Sequence, residues 1–343
     1  MKKYFKIISF ILSILLLGAL LIGCGNDNGT KGDQLVQIRL NEVVRSIFYA
    51  PMYVAINKGF FEEEGLSIEL STGQGADKTM QQVLSGSADI GFCGPEQVIY
   101  LYNQGREDHA VVFAQLTKRD GSFLVGREKE EDFKWENLRG KTVIGGRPGG
   151  VPEMSLEYVL KEHGMVPNED VELITNLAFT ATASAFKSGT GDYVALFEPT
   201  ASMLQEEGAG HIVAYIGKAS GEMAYTCFFA TKSYIEQNPE IIQKFTNAIY
   251  KGQLWVDSHT PEEIAEAVID FFPGSDMDLL TTVVERYRSE DAWAKTPISS
   301  EAEFTHLQDV IQSYKEDLIP ERPPFDKIVT NQFAEEAVRT IEK

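Results

Sequence analysis

Cysteine is nearly absent from this chain: 343 residues hold three, at Cys24, Cys93 and Cys227. That count excludes a disulfide scaffold and any cysteine-rich metal centre. Histidine is equally sparse, with five residues scattered at His109, His163, His211, His259 and His306. Basic residues are in deficit, 31 Lys and Arg against 51 Asp and Glu, for a net charge of −20. That field disfavours nucleic acid and anionic lipid head groups as partners. It does not exclude an anionic small ligand, because a local site can oppose the global field. Catalytic signatures are missing too: there is no HExxH, no GxSxG elbow, no GxGxxG and no Walker lysine. The inventory predicts no catalytic residue, no metal ligand set and no cofactor.

Long apolar runs are also lacking, with one exception. Residues 7–23 carry no charge and follow a basic head of Lys2, Lys3 and Lys6. The run falls short of the roughly 20 residues a spanning helix needs, and it fits the apolar region of a secretory signal. It ends in Leu21-Ile22-Gly23-Cys24, which resembles the lipobox of bacterial lipoproteins. The resemblance implies that residues 1–23 are removed and that Cys24 is acylated as the new N-terminus. More than one acyl chain anchors a protein stably, so the expected location is the cell membrane, lipid-anchored and facing outside the cytoplasm. The polar stretch at residues 24–33 reads as a flexible tether. The alternative, an uncleaved signal anchor, makes the cysteine incidental.

What remains is a patterned α/β chain. From residue 35, short apolar runs alternate with amphipathic ones: LVQIRL, APMYVAINKG, LSIEL, ADKTMQQVLSG, ADIGFCG, PEQVIYLYNQG and AVVFAQL. This strand-helix order predicts a mainly parallel sheet with right-handed crossovers. The pattern restarts at SFLVGRE and runs through KTVIGG, PEMSLEYVLKEHG, VELITN, ATASAFKSG, DYVALFE, ASMLQEEG and HIVAYIG. A third unit, YTCFFATKSYIEQNPEIIQKFTNAIYKGQLWV, opens a helical tail. Two lobes are expected, the first holding residues 34–117 and 224–343 and the second residues 118–223. Cys93 and Cys227 fall in apolar strand-like runs and are expected as buried free thiols, with a disulfide between them as the alternative.

APMYVAINKGFFEEEGLSIEL followed by MQQVLSGSADIGFCGPE resembles the solute-binding proteins of the nitrate, sulfonate, taurine and thiamine-pyrimidine ABC importers. ENLRGKTVIGG, ALFEPTASMLQEEG and FFATKSYIEQNPEIIQKFTNAIYKGQLWV extend the likeness to about residue 272. The resemblance implies a type II periplasmic-binding fold, whose two lobes close on a small ligand and dock on a permease served by an ATPase. A monomer is expected. The pyrimidine-forming enzymes of the same fold family carry a cysteine-rich stretch that is not seen here, and sharing a fold does not grant activity. An extracellular sensor or enzyme subunit on this fold is the competing class.

Ligands of open α/β sheets sit at the carboxyl ends of the strands, so six loops carry the candidates. In the first lobe they contribute Arg45, Phe48, Gln74 and Glu96. In the second, VIGGRPGGVPE at residues 143–153 contributes Arg147, Gly149 and Gly150, and the next two loops add Thr180, Thr182 and Glu198. Arg45 and Arg147 offer planar forks suited to a sulfonate, nitrate or carboxylate. Phe48 could stack on a ring and Glu198 could accept from a ligand amine, which favours a thiamine-type pyrimidine instead. The competing readings are a solvated arginine, a core phenylalanine and a helix-capping glutamate. The residues lean slightly to the anion.

Overall fold

The computed structural model describes residues 35–341; the expected leader and tether, with Cys24, lie outside the described residues. Among the described residues, no helix is long and apolar enough to cross a membrane.

Among the described residues, ten strands alternate with helices. The first four are β1 (Val36–Glu42), β2 (Leu66–Thr72), β3 (Ile90–Cys93) and β4 (Ala110–Thr117). Five more follow: β5 (Ser122–Gly126), β6 (Thr142–Ile144), β7 (Glu172–Ile174), β8 (Tyr193–Phe197) and β9 (His211–Tyr215). The last is β10 (Thr226–Thr231). They form two five-stranded sheets in the orders β2-β1-β3-β10-β4 and β7-β6-β8-β5-β9. The molecule is therefore a two-lobed α/β protein. In each sheet three strands run parallel, β1 to β3 and β6 to β8, and one antiparallel strand sits beside them, β10 and β5 respectively.

The strands are short and their side chains explain which faces are covered. All four residues of β3 are buried, as expected of a strand with helices on both faces. Its Phe92 ring stacks on Phe228 of β10 at 4.3 Å, and Phe228 in turn meets Phe245 edge-on at 5.2 Å. Cys93 and Cys227 lie opposite each other in this antiparallel ladder, both buried and both free.

β10 enters between β3 and β4 as an antiparallel strand, where the local pattern predicts parallel neighbours. The cause is non-local: β10 arrives about a hundred residues later in the chain, so no window around β3 or β4 announces it.

The chain passes from the first sheet to the second through residues 118–121 and returns through residues 216–225. Later helices tie the two together. The helix Glu301–Tyr314 packs against the helix Val151–Glu162 of the second lobe, while its Glu303 accepts from Gln115 of β4 at 2.5 Å.

The longest helix, Pro239–Ser258, lies close against the helix Ala50–Asn57. Gly252 makes that approach possible, because a Cβ there would stand 2.3 Å from the Pro51 carbonyl oxygen. Gly252→Ala should therefore cost about 1–3 kcal/mol through overpacking, against the few tenths to 1 kcal/mol that the same exchange normally gains in a helix. A urea midpoint at or above that of the parent would show that the helices can part without penalty.

Candidate functional site

The carboxyl ends of β1, β2 and β3 face those of β6, β7 and β8 across a cleft, and the loops that follow them form its walls. A cavity of about 210 Å³ lies there, lined from one side by Val43, Val44, Asp77 and Glu96 and from the other by Arg147, Gly149 and Gly150. Two neighbouring cavities share walls with it. One of about 260 Å³ reaches Arg45, Gln74, Thr180, Thr182 and Glu198, and one of about 570 Å³ reaches Gln74, Arg147 and Thr180. Phe179 and Phe197 stand between them, ring to ring at 6.2 Å. Four helices start at the cleft: Ala76–Leu84, Glu96–Asn103, Val151–Glu162 and Phe179–Lys187. None has a side-chain cap from the residue before it. The positive dipole ends and the N–H groups that the first turns leave unpaired remain for ligand acceptors; those of Gln97, Glu153 and Ala181 are already taken by backbone carbonyls.

The candidate side chains are brought to the cleft unevenly. Gln74 lies there with a left-handed φ of 61°, a conformation that asparagine or glycine adopts more readily. Gly149 is also left-handed, at φ 75°, and its carbonyl accepts from the Tyr100 hydroxyl at 3.0 Å across the cleft. Arg147 reaches over to Asp77, with Nη1 to Oδ1 at 3.1 Å. Arg45 donates Nε to Glu42 at 2.7 Å and lies over the rings of Tyr53 and Phe271. Thr182 turns its hydroxyl inward to the Phe179 carbonyl at 3.0 Å.

Two candidates are not free for the roles considered above. Phe48 is fully buried, packed against Tyr225 and Tyr287 with ring centroids at 5.8 and 4.9 Å. Its ring also fills the space over Gly121 in the first crossing segment, so it is core and does not present a face to a ligand. Glu198 is buried with both carboxylate oxygens occupied, Oε2 accepting from Ser202 N at 2.8 Å and Oε1 from Ser202 Oγ at 2.9 Å. Arg286 completes an ion pair with it. The carboxylate is therefore already engaged in capping a helix and neutralising an arginine.

Asp77 and Arg286 were not among the sequence candidates. Asp77 carries a faint signal, two residues past Gly75 at a helix start. Arg286 carries none, since 88 residues separate it from Glu198.

Burial raises three carboxyls in and behind the cleft. Glu96 is pushed up to about 7 and Asp120 to about 6, each chiefly by burial. Glu153, which accepts from Gly146 N at 2.6 Å, is pushed up to about 8 by burial and then by the charge of Glu157.

The profile of the NMT1/THI5-like family matches residues 47–264. This chain belongs to that family. A Bacillus subtilis protein, YtlA, described as a candidate binding protein, is 45% identical over 303 residues, covering 88% of this chain and 90% of YtlA. The formylaminopyrimidine-binding protein of Halalkalibacterium halodurans is 27% identical over 269 residues, 76% of this chain and 78% of that protein. Among solved structures, the alkanesulfonate-binding protein SsuA from Xanthomonas axonopodis superposes with a TM-score of 0.70 at 15% identity, over 87% of this chain and 99% of SsuA. The fold is that of the periplasmic binding proteins.

Two predictions follow from the ion pairs and the raised carboxyls. Arg286→Met strands a buried carboxylate and should cost about 3 kcal/mol. Arg147→Ala, at a pair whose side chains are 39% and 48% exposed, should cost less than about 1 kcal/mol. Guanidinium denaturation of both variants checks the contrast; equal losses would contradict it. Glu153 holds a proton in the folded state that the unfolded chain sheds near the ordinary carboxylate value of 4.5. Its contribution to stability is thus complete below that value and is lost as the pH rises toward about 8. Glu153→Gln should flatten the fall in stability between those limits, and an unchanged slope would remove the assignment.

Proposed function

We propose that this protein is the extracytoplasmic solute-binding component of an ABC importer, tethered through an acylated Cys24, and that it is not an enzyme. Its small ligand is captured in the cleft between the lobes and delivered to the permease. The observation that carries this reading is the cavity itself. It lies between the carboxyl ends of two three-stranded parallel sets and is ringed by four helix starts without side-chain caps. Membership of the family and the binding-protein relatives support it.

The ligand reading shifts with the geometry. Arg147 and Arg45, which favoured a sulfonate- or nitrate-like anion, are already engaged by Asp77 and Glu42. An anion would have to displace Asp77 or rely on the helix N-termini, which hold oxyanions without a charged side chain. A planar polar heterocycle gains the walls of Phe179 and Phe197, and the formylaminopyrimidine-binding relative points the same way. We take the heterocycle as the leading class and the anion as the second.

Three measurements test the proposal. A thermal-shift screen of aminopyrimidines, alkanesulfonates, taurine and nitrate should return a stabilising solute, and scattering with that solute should give a smaller radius of gyration. A screen without any stabilising compound, or an unchanged profile at saturation, counts against capture by closure. Mass spectrometry of membrane-extracted protein should find residues 1–23 absent and acyl mass on Cys24; a membrane-bound Cys24→Ala protein would remove the anchor assignment.

A further inference from the structure

We propose that Glu96 is the ligand-reading carboxyl of the cleft, and that the captured solute presents an N–H donor to it, as an amine or as an amino group on a ring. The inference rests on the capture reading given above. It comes from comparing the acidic side chains at the cavities. Glu42 has Arg45, the Tyr53 hydroxyl at 2.6 Å and the Thr72 hydroxyl at 2.9 Å. Asp77 has Arg147, and Glu198 has Arg286 and Ser202. Each is neutralised within the protein.

Glu96 is not. It is 1% exposed, its Oε2 has no hydrogen-bond partner, and the groups that hydrogen-bond the carboxyl are its own backbone N–H and the Gln97 side-chain amide, the latter to Oε1 at 3.2 Å. The one charged group that acts on it is Asp77, of like sign. A buried acceptor without a partner is costly, and native proteins rarely keep one without a use. Here the use is adjacent. Glu96 lines the cavity together with Gly94 and Gln97. Gly94 gives the carboxyl its place: a Cβ at that position would stand 2.0 Å from Oε2.

The cavity also offers donors, among them N–H groups at the helix starts that no side chain caps. A solute that satisfies both must be bifunctional, with acceptor atoms for the helices and an N–H for Glu96. A plain oxyanion meets only the first demand and would bring a second negative charge beside Glu96 and Asp77. Arg147 cannot serve in its place, since Asp77 already holds its guanidinium.

The test uses calorimetry on the full chain with two matched pairs: taurine against ethanesulfonate, and an aminopyrimidine against the methylpyrimidine of the same shape. In at least one pair the amino compound should bind about tenfold tighter or more, because a site built to hydrogen-bond a polar group rejects the analogue lacking it. In Glu96→Gln that advantage should shrink to less than about threefold. The unliganded variant should melt at the same temperature as the parent or higher, since an uncompensated buried carboxyl has gone. Equal binding within both pairs, discrimination that survives in Glu96→Gln, or a lowered melting temperature of the unliganded variant each overturn the proposal. So does a solute from the wider screen that lacks any N–H and still binds tightly, which would leave the capture reading standing. Silence from every compound in the wider screen removes both.

Discussion

Glu198 sits where water cannot reach it, and the shape of the cleft depends on how that charge is held. Arg286 neutralises it from the helix Met277–Ser289. The next residue, Tyr287, accepts from Glu198 N at 3.2 Å and donates to the Gly121 carbonyl at 2.8 Å. The Glu198 carbonyl in turn accepts from Ser46 Oγ at 2.8 Å. One turn of a C-terminal helix thereby fixes the end of β8, the first crossing segment and the loop after β1 relative to one another. Breaking such a pair by removing one partner is far more costly than the pair's own net worth. The wall residue Phe197 is the neighbour of Glu198 and takes its position from the same clamp.

That clamp was invisible in the sequence, for a physical reason. Local signals announced the elements well: LSIEL, DYVALFE and HIVAYIG fall within or beside β2, β8 and β9, and Gly86 and Gly164 follow helices near their C-termini with left-handed φ. Periodicity and punctuation are properties of a window of a dozen residues, and the windows were sufficient. The loops at strand ends were legible for the same reason, which is why Gln74, Glu96, Arg147, Gly149 and Gly150 do reach the cavities. What a side chain does once there depends on partners far along the chain. Phe48 becomes core because Tyr225 and Tyr287 surround it. Glu198 becomes a cap because Arg286 arrives from a helix that opens nearly 80 residues later. A strand-end phenylalanine and a strand-end glutamate look the same in sequence whether or not these partners exist.

The electrostatics of the cleft differ from those of the whole chain in kind. The chain carries a net charge of −20, yet that excess is mostly solvated and screened. Three arginines at the cleft are each matched with an acid, Arg147 with Asp77, Arg45 with Glu42 and Arg286 with Glu198, while Lys78 lines the outermost cavity. The residual imbalance is local and buried, and burial expresses it as raised carboxyl pKa values and not as a field felt at a distance. With the arginines committed, the proposed selectivity of such a site comes chiefly from which hydrogen bonds a solute completes.

The contacts that bridge the two lobes fall into two groups with different strengths. Near the crossings they are buried and hydrogen-bonded: Ser46 to Glu198, Tyr287 to Gly121, and the aromatic packing of Phe48 over Gly121. At the rim they are exposed or half-exposed: Arg147 to Asp77, with side chains 39% and 48% accessible, and Tyr100 to the Gly149 carbonyl. An opening that separated both groups at once would leave unpaired buried groups at the crossings, where each costs about 1–3 kcal/mol. An opening that pivots about the crossings spares that buried group; it loses the rim contacts, whose ion pair is worth less than about 1 kcal/mol in water, and works against the packing of the helix Glu301–Tyr314 on the helix Val151–Glu162. The second path is the cheaper by several interactions. The rim is also where the glycine-rich loop lies, with Gly149 already in a left-handed conformation and open space around it. The fold therefore places its buried, hydrogen-bonded contacts at the crossings and its exposed ones at the mouth, the distribution that the proposed capture by closure requires.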